Sequence, residues 1–278
     1  MRRSRPGRIA LAVVAASACS ALGASSALAS TPPLPNSMAS SGDSITRAYD
    51  STASGCFLSD CPQYSWSTGY NSTVNSQYQR ILVANQGISG HEYNDAQTGA
   101  KMSALDGQLK TAAGQGVQYA TVLMGANDVC TSSISTMTPT STLQGEFQTA
   151  LSDFFTADPN ASVFVSSIPN VYQLWQLLHN NSSAESTWTT FGICQSMLSP
   201  YNTDAQRQAV LTQEENDNSA EQAVCASFAH CRWDNLATFD YSFTTKDIST
   251  VDYFHPSLTG QNALANVTWG ASYWPSTK

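Results

Sequence analysis

"YATVLMGAND", residues 119–128, is a run of apolar and β-branched residues that ends abruptly in a polar turn. A short apolar run bounded by turn residues reads as a strand buried on both faces, because a half-exposed strand would alternate apolar and polar side chains. "ASVFVSSIPN" (161–170) repeats the form, "ILVANQG" (81–87) reads the same way, and "DNLATF" (234–239) is a weaker case. Helical patterns lie between. In "STLQGEFQTALSDFF", Leu143, Phe147, Ala150, Leu151 and Phe154 recur at helical spacing and share one apolar face. "DAQTGAKMSALDGQLKTAA" (95–113) and "PSLTGQNALANVTW" (256–269) are also expected to be helical. Alternating strands and helices predict an α/β fold with a central parallel sheet covered on both faces, and such sheets bind ligands at the carboxyl ends of their strands. The polar tails "NQGISG" (85–90) and "GAND" (125–128) are therefore where a site is expected. Residues 170–230 are the least regular stretch and are expected to form a helical insertion. There is no internal repeat and no linker, so residues 30–278 are read as a single domain.

The chain begins "MRRSRPGRIALAVVAASACSALGASSALAS", with four arginines, a short apolar stretch and the small-x-small pattern Ala27-Leu28-Ala29. That order describes an export signal over residues 1–29; the apolar part is too short and Ala-rich for a membrane anchor. Beyond it remain eight basic residues against twenty acidic ones, a formal charge of −12. A surface so acidic repels nucleic acid and anionic membranes. Six cysteines remain, Cys56, Cys61, Cys130, Cys194, Cys225 and Cys231, an even number that points to three disulfides in an oxidising compartment. Spacing favours Cys56–Cys61 and Cys225–Cys231 as local staples and Cys130–Cys194 as a long tie, among fifteen possible pairings. No cluster has the spacing of a metal site, and His91-Glu92 lacks a second ligand pair.

Familiar catalytic motifs are missing: there is no G-x-S-x-G elbow, no P-loop, no H-E-x-x-H and no G-x-G-x-x-G. Of four histidines, His255 lies in "VDYFHPS", three residues after Asp252 and directly before Pro256. An aspartate at that offset folds back on the same turn and fixes which imidazole nitrogen carries the proton. Ser44, in "SSGDSITRAYD" (40–50), needs such a base before its hydroxyl becomes a nucleophile. Acyl transfer also needs donors facing a developing oxyanion. Gly90 in "NQGISG" could offer backbone, and Asn127 in "GAND" a neutral amide. Each residue has a plain reading as turn or cap; what distinguishes them is their occurrence together.

The set "SSGDSITRAYD", "ANQGISG", "VLMGAND" and "DYFHPS" resembles the GDSL, or SGNH, hydrolase family across nearly the whole chain. The resemblance implies a three-layer α/β/α flavodoxin-like fold, esterase or lipase activity and no cofactor. It makes Ser44 the nucleophile, His255 the base and then acid, and Asp252 the residue that orients His255. Gly90, Asn127 and the Ser44 amide would form the oxyanion hole. "GDSI" departs from the family's leucine, and "GAND" has alanine where a second glycine is commoner. "SWSTG", "GANDVC" and "CRWDNLATF" are similar to the phospholipase B-like branch, which implies a lipid ester substrate.

In "NVYQLWQLLHN" (170–180), Val171, Tyr172, Trp175 and Leu178 are expected to line an acyl groove, although large apolar residues also fill cores. The protein is expected to work as a secreted monomer on a small-molecule or lipid ester. A polysaccharide O-deacetylase on the same fold and a binding protein without turnover are the alternatives.

Overall fold

The computed structural model describes Met1 and residues 31–277; the export-signal reading falls outside the described residues. Five strands form the sheet: β1 (Met38–Gly42), β2 (Glu92–Asn94), β3 (Tyr119–Leu123), β4 (Ser162–Val165) and β5 (Cys231–Trp233). Every pairing is parallel, and the spatial order is β2-β1-β3-β4-β5. This is the doubly wound order in which the connection changes direction between β1 and β3, leaving a crevice at their carboxyl ends.

The three central strands β1, β3 and β4 are buried on both faces, and their alternate residues divide between two apolar layers. Ala39, Ala120, Val122, Val163 and Val165 pack with helices α2 (Leu105–Gln115), α4 (Thr140–Ala157) and α8 (Asp204–Cys225). Met38, Tyr119, Leu123 and Phe164 pack on the other side with α1 (Gln77–Ala84) and α9 (Leu258–Ala271). The apolar face read on α4 is the buried one: Leu143, Phe147, Ala150, Leu151 and Phe154 all lie inside, each large side chain contributing about 2 kcal/mol by leaving water. A third cluster joins α5 (Val171–Leu178), α6 (Ser182–Phe191), α7 (Gln195–Leu198) and the start of α8 to Val129 and Ile248. Those helices are the insertion expected over residues 170–230. Disulfides close Cys56–Cys61, Cys130–Cys194 and Cys225–Cys231.

Besides β1, a strand with no counterpart in the reading of the sequence, three elements differ from that reading. "ILVANQG" is not a strand: its first four residues end α1 and the rest enters a 3₁₀ turn (Gln86–Ile88), the helix being started by Ser76, whose hydroxyl accepts from the Gln79 amide. Ile81 is buried while Val83 is 70% exposed, the one-sided burial of a surface helix. The neighbouring strand is instead the three-residue β2, too short to show a pattern. "DNLATF" lies just past its strand, because the Asp234 carboxylate accepts from the Leu236 and Thr238 amides at 3.0 Å each and pulls the chain into a turn. Of residues 95–113, only the part from Met102 is helical, a 3₁₀ turn (Met102–Ala104) leading into α2. Residues 95–101 form the irregular connection after β2.

Candidate active site

β1 delivers Gly42, Asp43 and Ser44 to the crevice. Gly42 has φ +153°, and a Cβ there would stand 2.4 Å from the Leu123 carbonyl oxygen, so only glycine lets β1 run this close to β3 before the chain turns. Its amide donates to Gln108 Oε1 (2.7 Å), and Gln108 Nε2 donates back to its carbonyl (2.9 Å). Asp43 is fully buried and accepts from the Ile45 amide at 2.9 Å. Ser44 is 6% exposed, and its own amide has no hydrogen-bond partner among the described residues.

The end of the chain is tied to this turn by α9. Gln261 Nε2 donates to the Ile45 carbonyl (2.8 Å), Gln261 Oε1 accepts from the Trp66 amide (2.9 Å), and the Leu258 amide donates to the Ser51 carbonyl (3.1 Å). Ser257 caps α9, its hydroxyl accepting from the Gly260 amide. The loop before it folds on Asp252, whose Oδ1 accepts from the Phe254 and His255 amides at 2.9 and 3.0 Å. As a result, His255 Nε2 lies 2.8 Å from Ser44 Oγ across 211 residues of sequence. His255 Nδ1 faces Asp252 Oδ2 in a short hydrogen bond. With Nδ1 protonated and donating to Asp252, Nε2 is left as acceptor for the serine hydroxyl. Burial alone would raise Asp252, but the hydrogen bond and charge of His255, with the two amides, hold its carboxyl below the usual range. Tyr49 packs on the imidazole at 5.2 Å between ring centres.

Asn127 sits on α3 (Ala126–Val129), the single turn after β3. Its Nδ2 donates to the Ala100 carbonyl at 2.9 Å and faces Asp43 Oδ2 at 3.4 Å, which brings its amide beside the Ser44 turn. Gly90 is elsewhere. It precedes β2 and donates its amide to Tyr78 Oη at 3.3 Å, while the next residue, His91, accepts from the amide of Met38 at the start of β1. Gly90 therefore lies at the amino edge of the sheet, opposite Ser44, and the assignment of Gly90 to an oxyanion hole is incorrect. The misplacement follows from reading α1 as the second strand. The glycine at the carboxyl end of β2 is Gly99, in "DAQTGA". It has φ +80° and an amide without a partner among the described residues, and it adjoins Ala100, the residue that holds Asn127. The stretch taken as helical thus contains it. The signal that could have found Gly99 was the Gln-Thr-Gly turn vocabulary there.

An apolar cleft with a cavity volume of about 50 Å³ adjoins these groups and opens to solvent. Ile45, Ala126 and Phe254 line it, each next in sequence to Ser44, Asn127 or His255, and Val171, Leu174 and Phe243 continue its wall. Of the groove expected from α5, Val171 takes part. Tyr172, Trp175 and Leu178 do not line the cleft: Tyr172 stacks on Trp175, Trp175 on His179, and the Arg207 guanidinium lies 4.4 Å over the Trp175 ring, while Leu178 is buried in the insertion core. The helix turns its Val171 and Leu174 face to the cleft and its aromatic face to α8.

Among the described residues, Asp50, Asp252 and His255 are the one group with donor atoms within 4.8 Å of each other. Both nitrogens of His255 are already engaged, with Asp252 and Ser44. A metal ion there would have to displace one of those two contacts. No helix among the described residues is long and apolar enough to cross a membrane.

A sequence model of the GDSL-like lipase/acylhydrolase family matches residues 41–263. A search of curated proteins found no match. Among solved structures, one described as a GDSL-like lipase from Parabacteroides merdae superposes with a TM-score of 0.54 at 14% identity, over 84% of this chain and 94% of its own. An extracellular lipase from Streptomyces rimosus gives 0.45 at 16% identity, over 85% and 99%.

Proposed function

The chain belongs to the GDSL-like lipase/acylhydrolase family, and from that premise we propose that it is a secreted hydrolase of acyl esters of lipids, working through Ser44, His255 and Asp252. The observation that carries the reading is the 2.8 Å approach of His255 Nε2 to Ser44 Oγ. His255 takes the hydroxyl proton as Ser44 Oγ bonds to the ester carbonyl carbon, and Asp252 stabilises the imidazolium. The oxyanion lies among the amides of Ser44 and Gly99 and the Asn127 side chain. Collapse expels the alcohol, protonated by His255, and leaves an acyl-serine. His255 then removes a proton from water, whose oxygen attacks the acyl carbon; the acid leaves and Ser44 regains its proton.

The apolar lining, which continues from beside the serine to Val171, Leu174 and Phe243, supports an acyl chain over the sugar-bearing substrate of a polysaccharide deacetylase. A chain lying along Ile45, Val171, Leu174 and Phe254 leaves water with its alcohol portion toward the mouth. Three disulfides and the arginine-fronted leader support export.

Turnover of p-nitrophenyl esters from acetyl to long-chain acyl, with Ser44→Ala as control, tests the reading. The expected result is a kcat/KM that rises beyond acetyl and an inactive Ser44→Ala. A preference for acetyl would favour the deacetylase, and equal background rates for both proteins would defeat the hydrolase reading.

A further inference from the structure

A second aspartate approaches the relay from the nucleophile side. Asp50 ends the turn begun at Asp43 and is held in the left-handed region at φ +53°, a conformation that costs an aspartate about 1 kcal/mol and persists only where surroundings impose it. Those surroundings are specific. Its amide donates to the Ser59 carbonyl at 3.3 Å, its carbonyl accepts from Ser249 Oγ at 2.5 Å, and its Oδ1 accepts from the Leu58 amide. Only 1% of the residue is exposed. One carboxyl oxygen lies within 4.8 Å of both a carboxylate oxygen of Asp252 and a ring nitrogen of His255.

Two buried carboxyl groups this close do not both ionise cheaply; the usual outcome is one shared proton. The donors decide where it resides. Asp252 receives three N–H groups, from Phe254, His255 and the His255 ring, all of which favour its charged form. Asp50 receives one, from Leu58. Burial first, and then the charge of Asp252, push the Asp50 carboxyl up, against the opposing Leu58 amide and His255. Arg47, on the same turn, is occupied with Asp60 at 2.9 Å. The other titratable groups at this corner are Tyr49, tilted against the His255 ring, and the buried Asp43.

Building on the Ser44–His255–Asp252 reading, we propose that Asp50 is a positioning residue, a carboxylic acid that donates its proton in a hydrogen bond to Asp252 and so fixes that carboxylate against the imidazole. The bond occupies the lone pair that Asp252 does not direct at N–H groups. It also makes Asp252 a poorer acceptor for a whole proton, so that the imidazolium keeps it. A neutral acid achieves this without adding a second charge beside the base.

Asp50→Asn keeps both functions, since Oδ1 accepts from Leu58 and Nδ2 donates to Asp252, but it does not titrate. Asp50→Ala removes both. On an ester turned over by the wild type, Asp50→Ala is expected to lose about tenfold to a hundredfold in kcat, the equivalent of one charge-assisted hydrogen bond, with little change in KM. Asp50→Asn should restore the rate. The ratio of its kcat to that of wild type should climb as pH rises above the ordinary aspartate range, because only wild type loses its donor there. A loop held merely in shape gives no such pH dependence. The proton NMR signal of His255 Nδ1–H supplies a readout free of turnover: it should persist in Asp50→Asn and shift or broaden in Asp50→Ala. An Asp50→Ala protein with wild-type rate and signal, or an Asp50→Asn ratio that stays level or falls with pH, overturns the proposal. If wild type shows no more turnover than Ser44→Ala, the esterase reading fails, and the NMR comparison still decides the role of Asp50.

Discussion

Asp43 immediately precedes the serine and is wholly buried, and desolvation pushes its carboxyl up to about 6 from an ordinary 3.8, with Asp128 adding to the rise and the Ile45 amide and His255 opposing it. A shift of that size corresponds to about 3 kcal/mol. Below the ordinary value the carboxyl is protonated in folded and unfolded chains alike, and nothing is lost. Between 3.8 and about 6 the unfolded chain releases its proton first, so the native state binds more protons and stability falls as pH rises. Above that window the whole penalty is present. Asp43→Asn removes the titration while its Oδ1 still accepts from the Ile45 amide. The variant's stability relative to wild type should therefore improve by about 3 kcal/mol from acid to neutral pH. Urea unfolding with the disulfides intact, followed by tryptophan fluorescence at several pH values, measures this. A difference that stays level or shrinks as pH rises would refute the argument. The variant should also be slower. With Oδ1 on Ile45, the new Nδ2 faces Asn127 Nδ2, where the carboxylate oxygen stood at 3.4 Å. Two donors then oppose each other, and a loss of about tenfold in kcat is expected as Asn127 turns away.

Asn127→Ala should lower kcat by about a hundredfold to a thousandfold with folding intact, read as kcat and circular dichroism side by side. Replacing Cys130 and Cys194 by alanine opens a tie of sequence separation 64 and should cost about 4 kcal/mol of stability by loop entropy, measured as the shift in urea midpoint. Gly99→Ala and Gly90→Ala both place a side chain at positive φ and should each lose about 1 kcal/mol of stability. Only the Gly99 variant should lose kcat, and an equal loss in both would contradict the placement of the oxyanion hole.

The parts of the fold legible in the sequence were those whose pattern is local and long. The α4 face and the β3 and β4 runs carry their burial in composition, because continuous apolar residues belong between two layers of helices. The short edges were not legible. β2 and β5 have three residues each and owe their strand geometry to the neighbours they pair with. "ILVANQG" has strand-like composition but obeys the helix started by Ser76. The error on Gly90 descends from that one misreading, and Gly99 went unnoticed inside a stretch read as helix.

By itself the sequence determined the chemistry available: a serine in a Gly-Asp-Ser turn, an aspartate three residues before a histidine, and an asparagine closing an apolar strand. These are local facts, since a turn or cap is set by residues a few positions apart. Only the tertiary structure decided which of them meet. Parallel strands send their carboxyl ends to one edge while leaving amino ends at the other, so Asn127 comes beside the Ser44 turn and Gly99 falls on the same edge, while Gly90 falls on the other. The docking of α9 through Gln261 carries His255 across 211 residues to its serine, and the same packing sets Asp50 beside Asp252. Contacts of that range depend on how layers stack in space, which no short window of residues encodes.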